Sequence, residues 1–334
     1  MISVVVPAYN AAATLPACIA ALRQQTYVPD EIIVVDDGST DESANVVKRH
    51  AAHLLQQPHQ GPAAARNLGA QSARGDWVLF TDADCEPTDN WVEQMLAPFA
   101  DPQVVGVKGA YRTRQRQVVA RLVQCEFEER YDRLERFGAI DFVDAHAAAF
   151  RTEALRGIGG FDPAFPQANN EDVDLSYRLA ETGSKMLFNR RAVVYHRHPA
   201  TWIKYLRVKI KRGYWRIMAY RLHPGKALHD SYTPQLLKVQ TLLVGLGLIS
   251  SIAVLLWPIA AWLTLACLSA LVLSALPFMR VVARREPALI IWAPFFILVR
   301  ALSLAIGAAG GTVGMFFFRP TLSGTKGEAV RQQV

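Results

Sequence analysis

The chain has 334 residues, 51% of them hydrophobic, and 36 Lys and Arg against 29 Asp and Glu give a formal net charge of +7. That length holds one large or two ordinary domains. The four cysteines, Cys18, Cys85, Cys125 and Cys267, lack the paired spacing of a zinc site or a disulfide framework. Twelve of the basic residues lie between Glu181 and Asp230, where there is no acidic residue, so the remainder is net negative with 24 bases against 29 acids.

Met1 leads directly into ISVVVP, which has no charged n-region or cleavage site, so the amino-terminal part is expected in the cytoplasm. SVVVP (3–7) and EIIVVD (31–36) are short β-branched runs without polar alternation, the pattern of parallel strands buried on both faces. DWVLF (76–80) and VVGV (104–107) are similar. Helical patterns fall between them at 15–25, 42–51, 63–73 and 91–99, which predicts right-handed βαβ units and an open, mostly parallel sheet. In such sheets ligands collect beyond the carboxyl ends of the strands, where PAYN, DDGSTD and TDAD fall. No GxGxxG follows the first strand, which argues against a dinucleotide-dependent dehydrogenase.

Further along, 114–136 reads as a charged helix that packs on the sheet through Val118, Leu122, Cys125 and Tyr131. EDVDLSYRLAE (Glu171–Glu181) opens with acids, as suits the positive end of a helix dipole. The basic helix expected at 201–222 mixes Trp202, Tyr205, Tyr214 and Trp215 with lysine and arginine, a composition that fits bilayer headgroups. Nucleic acid is the rival partner for this belt, but its place directly before an apolar region favours lipid. Residues 241–279 carry no charge and are long enough for two crossings, with Pro258 at the turn; 288–318, interrupted only by Arg300, is a third candidate. The expected spans are 239–257, 259–279 and 288–318, against the alternative of buried core helices. Three crossings would leave 280–286 on the cytoplasmic side and 319–334 outside, although Arg319, Lys326 and Arg331 prefer the inside. Arg300 could instead mark where an interfacial segment turns into the last span.

Three acidic groups stand at equivalent sheet edges: Asp36 with Asp37, Asp82 with Asp84, and Glu171 with Asp172. Clustered carboxylates are tolerable around a divalent cation, and hard oxygen ligands suit Mg2+ or Mn2+. Taken in order and spacing, PAYN, VVDDGSTD, ARN, TDAD, GGFD and NEDVDLSYRL resemble the family 2 glycosyltransferases with a GT-A fold, over about residues 1–200.

The resemblance implies a Rossmann-like, mostly parallel sheet with flanking helices, followed by an interfacial helix and transmembrane helices. Residues 1–199 would be the catalytic domain, 200–235 the basic amphipathic region, 236–318 the membrane part and 319–334 a tail. Tyr9 would stack on the nucleobase and Asp37 hydrogen-bond it, with Pro7 and Asp36 lining the pocket and Arg66 closing it. Asp84 would contact the metal that bridges the diphosphate of the sugar nucleotide, and Asp82 the ribose or the sugar. Asp172, next to Glu171, would be the general base for the acceptor hydroxyl. His196 stands where family members often place a histidine near the metal. His146 takes the place of a common asparagine and either touches the acceptor or fills a pocket.

The implied reaction is an inverting transfer of one sugar from a nucleotide sugar to a lipid-linked or glycan acceptor, at the cytoplasmic face of a bacterial-type inner membrane, for cell-envelope or extracellular glycan assembly. No nucleic-acid partner is expected. VKIKRGYWR (208–216) lacks the QxxRW signature of processive synthases, which leaves chain elongation as the alternative, beside a non-catalytic scaffold that only binds the nucleotide sugar. Donor and acceptor selectivity would reside in loops such as 163–170.

Overall fold

The computed structural model describes residues 1–50, 52–165, 170–227, 230–231 and 233–317. The loop at 163–170 is therefore described only in part, and the expected tail, 319–334, lies outside the described residues. In chain order the elements are β1 (Ile2–Ala8), α1 (Leu15–Arg23), β2 (Glu31–Asp36), α2 (Ser43–Arg49), β3 (His53–Gln56), α3 (Pro62–Ser72), β4 (Trp77–Thr81), β5 (Glu86–Pro87), α4 (Trp91–Leu96), β6 (Val104–Arg112) and α5 (Val118–Leu134). They continue with β7 (Ala147–Arg151), α6 (Thr152–Gly157), α7 (Glu171–Glu181), β8 (Lys185–Tyr195), α8 (Trp202–Leu222), α9 (Gln235–Ala253), α10 (Ala260–Ser274), α11 (Leu276–Arg285) and α12 (Ala293–Phe317).

The apolar runs read as strands are strands, because their side chains are covered on both faces: Val4, Val5, Val6, Ile33, Val34, Val35, Val78, Leu79 and Phe80 are fully buried. One sheet of eight strands runs in the order β3-β2-β1-β4-β7-β6-β8-β5. Its first four strands are parallel, while β7 runs antiparallel to both neighbours and β5 antiparallel to β8. The sheet is thus mixed, and the parallel half is the part that the βαβ alternation anticipates.

Local signals set the helix starts. Gly61, at φ 93°, turns the chain before Pro62, whose fixed φ suits the first turn of α3. Thr201 Oγ1 accepts a hydrogen bond from Lys204 N and caps α8.

The apolar core runs without a break from the sheet through α5 into Tyr205 of α8, Phe278 and Val282 of α11, and Phe296 and Ala301 of α12. Three stretches are long and apolar enough to cross a membrane: Gln235–Ala253, Ala260–Arg285 and Pro287–Gly314.

Candidate functional site

At the carboxyl ends of β1 and β2 the chain places Tyr9 beside Asp36 and Asp37. Pro7 pairs in register with Val35, and Ala8 with Asp36. The Tyr9 ring is 49% exposed and stacks on His59, with centroids 4.1 Å apart. Asp37 is buried and already well bonded: it accepts from the Gln60 and Gly61 backbone N–H groups at 2.9 and 2.8 Å and from Gln57 Nε2 at 2.6 Å, and it lies 2.9 Å from His59 Nδ1. Asp36 accepts from Ser39 N and Gln56 Nε2, both at 3.1 Å. Gly38, at φ 74°, is required between them, because a Cβ there would stand 2.8 Å from the His59 backbone nitrogen. The result is a rigid turn with an aromatic face open to solvent.

Arg66 sits deeper. Its side chain is 1% exposed and bridges Asp82 Oδ1 at 2.9 Å and Glu171 Oε1 at 2.7 Å, so α3 ties the end of β4 to the start of α7. Its guanidinium lies over the Phe161 ring, and the adjacent Asn67 clamps Phe161 by two backbone hydrogen bonds of 2.7 and 2.8 Å. The ARN and GGFD motifs thus form one unit. Burial alone would raise the Asp82 carboxyl, but His146, 3.4 Å away, and Arg66 outweigh it and hold Asp82 at about 2.

Glu171 and Asp172 are shifted the opposite way. Burial raises the Glu171 carboxyl, the neighbouring Asp172 adds to the shift, and Arg66 opposes it. Asp172 is raised by burial and by the Asp144 carboxylate, against His146, Arg66 and Arg216. Asp144 is paired with the fully buried Lys108, and its Oδ1 is buried without a hydrogen-bond partner among the described residues.

Asp84 lies past the end of β4 and His196 past the end of β8. They meet because β5 pairs with β8 in the register Glu86 to Tyr195. His196 Nε2 is 3.8 Å from Asp84 Oδ2, and ligand atoms of Asp84, Cys85 and His196 lie within 4.8 Å of one another. Burial, with His146 adding to it, lowers the His196 imidazole to about 4, which leaves it neutral. Burial raises the Cys85 thiol well above its ordinary value, so the sulfur is not a thiolate. The carboxylate and imidazole are therefore the competent cation ligands of the group.

The structure thus brings Asp82, Asp84, His146, His196, Arg66, Glu171 and Asp172 to one edge, with Pro7, Tyr9, Asp36 and Asp37 alongside. Sequence reasoning did not single out His59, the Lys108–Asp144 pair, or Arg216, which reaches from α8 to donate to the Tyr177 hydroxyl at 3.3 Å. For Asp144 the DAHAAAF spacing was the legible signal; for Lys108 there was none.

A profile of the Glycosyl transferase family 2 matches residues 3–159. Pre-mycofactocin glycosyltransferase of Mycobacterium tuberculosis is 34% identical over 207 residues, which cover 59% of this chain and 43% of that protein. Glycosyltransferase GlyG of Streptococcus pneumoniae is 35% identical over 117 residues, covering 33% of this chain and 39% of that protein. The chain thus spans less than half the length of these relatives. The solved mannosyltransferase PcManGT from Pyrobaculum calidifontis, in complex with GDP-Man and Mn2+, superposes with a TM-score of 0.62 over 93% of this chain and 86% of that one, at 22% identity. The chain therefore has the GT-A fold, and its residues 3–159, just under half of it, match the family 2 glycosyltransferases.

Proposed function

We propose that the protein is a membrane-anchored, cation-dependent, inverting glycosyltransferase that moves one sugar from a nucleoside-diphosphate sugar to an acceptor hydroxyl. The observation that carries the reading is the convergence of Asp82 and Asp84, His196, and Asp172 on one sheet edge from three separate segments. On this reading Tyr9 stacks the base, with Pro7, Asp36 and Asp37 shaping the turn beneath it, and Arg66 fixes Asp82 toward the ribose or sugar.

The donor set of Asp84 and His196 suits Mg2+ or Mn2+, and the solved mannosyltransferase was crystallised with Mn2+. A bound cation would supply electrostatic stabilisation of the departing diphosphate. Asp172 accepts the proton of the acceptor hydroxyl as the new bond to the anomeric carbon forms. The old bond to the diphosphate oxygen breaks, and its electron pair leaves with the diphosphate. A raised carboxyl is a better proton acceptor than an ordinary one, and a positioned general base contributes about 100- to 10,000-fold. A single displacement of this kind inverts the anomeric centre. His146 lies between the two roles, 3.4 Å from Asp82 and a charge neighbour of Asp172.

The acceptor is lipid-linked or a membrane-proximal glycan, because residues 200–235 and the apolar helices of 236–318 hold the catalytic unit, 1–199, beside the bilayer, on the cytoplasmic side of an inner membrane. The test is release of nucleoside diphosphate from a panel of UDP and GDP sugars, with Mn2+ or Mg2+ and membrane extract as acceptor. The Asp172→Asn enzyme is expected to bind nucleotide sugar and transfer nothing. Unchanged transfer by that variant would remove the proposed base, and no turnover with any sugar nucleotide would sink the reading.

A further inference from the structure

Hydropathy alone makes Pro287–Gly314 a third crossing, but the packing of α12 points elsewhere. The helix α8 lies flat across the catalytic domain, tied to it along its whole length. Tyr205 and Lys209 bond Glu126 of α5 at 3.1 and 2.6 Å, Arg216 bonds Tyr177 of α7, and His223, just past the helix, meets Asp174 and Glu181 at 2.9 and 2.8 Å.

Against α8 runs α12, parallel to it. Trp202 packs on Phe295 with centroids 4.8 Å apart, and Tyr205 on Phe296 at 4.7 Å. Further along, a Cβ at Gly307 would stand 2.2 Å from the Ile210 carbonyl oxygen, and one at Gly311 would stand 2.7 Å from that of Tyr214. Contact continues from Phe295 to Gly314, about 28 Å of helix at 1.5 Å per residue. Arg300 is buried beside this seam, 3.9 Å from both Glu126 and Glu129 of α5, and donates to Gln240 at 2.9 Å.

A helix so placed cannot stand upright in a bilayer unless α8 stands with it. That would carry Lys204, Arg207 and Arg212 toward hydrocarbon, where a basic side chain is costly. The exposure of α12 is one-sided instead. Phe295, Leu298, Ile306 and Val313 are exposed on one stripe, while Phe296, Arg300, Ser303, Gly307 and Gly311 are buried on the other. The α9–α10 hairpin is different: Leu255, Leu256, Trp257, Ile259 and Trp262 at its turn are exposed and uncharged.

We propose that α8 and α12 form a paired platform in the plane of the leaflet that faces the catalytic domain. The exposed stripe of α12 sinks to the acyl-chain boundary, Lys204 and Arg207 meet anionic headgroups, and the α9–α10 hairpin alone of the described helices enters the bilayer core. Residue 317 then lies on the catalytic side. This rests on the membrane placement proposed above and not on the transfer chemistry.

The experiment uses the full chain in vesicles of phosphatidylethanolamine and phosphatidylglycerol, with spin labels on Phe295→Cys, Ile306→Cys or Val313→Cys and depth read from oxygen and nickel accessibility. An in-plane helix gives three depths that agree within about 5 Å. A crossing helix separates the labels at 295 and 313 by about 27 Å, which overturns the proposal. Reporter fusions at Met1 and after Val334 give a second reading: the same side is expected, and opposite sides refute it. Release of the protein from vesicles by carbonate would defeat the membrane placement itself, and transfer assays would still report on the chemistry.

Discussion

Replacing Arg66 by methionine tests the central electrostatic claim about the site. Arg66 is 1% exposed and compensates Glu171, itself 4% exposed at the side chain, and Asp82, which is about one-fifth exposed. Removing one partner of a buried pair leaves an uncompensated charge and costs about 3–5 kcal/mol. Most of that arises at Glu171, because solvent screens part of Asp82. At about 2–4 °C per kcal/mol for a domain of this size, the midpoint should fall by about 6–20 °C. Tryptophan fluorescence during heating in detergent reads it. Arg66→Met with Glu171→Gln should recover at least half the loss, since the stranded charge is gone. With the cation removed, Glu171 titrates from a raised value, so the deficit against wild type should narrow as pH falls through that value. A midpoint within about 2 °C of wild type, or a double variant no better than the single one, would refute the argument.

Other consequences are equally direct. His196→Gln should weaken Mn2+ binding at least about tenfold, read as a thermal shift about 1.4 kcal/mol smaller at saturating wild-type conditions; an unchanged titration would remove His196 from the cation site. Although burial lowers the His223 imidazole, hydrogen bonds to Asp174 and Glu181 raise it further, so its folded value lies above the ordinary one. The stability it contributes is full below the unfolded value near 6.5 and is lost as pH rises through the folded value. His223→Gln should therefore flatten the fall in midpoint as pH rises above about 6.5, and parallel curves would contradict the assignment. Gly307→Ala should separate α8 from α12 and cost about 1–3 kcal/mol, because the obstructing atom is a backbone oxygen; no loss on heating would mean the seam is looser than described.

What the sequence disclosed follows from how each part is encoded. The parallel half was legible because SVVVP, EIIVVD and WVLF announce double-sided burial in their own side chains. The strand Ala147–Arg151 was missed because AAAFR has neither β-branching nor alternation; its small residues sit between β4 and β6, where space and not propensity decides. Motif order picks out the site candidates, but the Arg66–Glu171 bridge joins positions 105 apart and leaves no local mark. For the last helix, hydropathy gives length and apolarity but not the packing partner. One arginine among apolar residues reads either as an interruption of a span or as the point where an interfacial segment turns into it, and the sequence does not disclose that this arginine stands 3.9 Å from Glu126 and Glu129 of α5. Gly307, Gly311 and Gly314 were the visible hint, spaced for close approach of another helix.

The pairing of β5 with β8 is only two residues long, yet together with the Thr88 bonds to the Val193 carbonyl it brings Asp84 within reach of His196. Anything that binds between those side chains also clips together two segments more than a hundred positions apart, at the rim of the sheet. Ligand occupancy and closure of that rim are then one equilibrium seen from two ends: tightening the short pairing raises affinity, and filling the site protects the Tyr195 and Glu86 amides from exchange with solvent. Hydrogen exchange at the edge of the sheet becomes a readout of the candidate site.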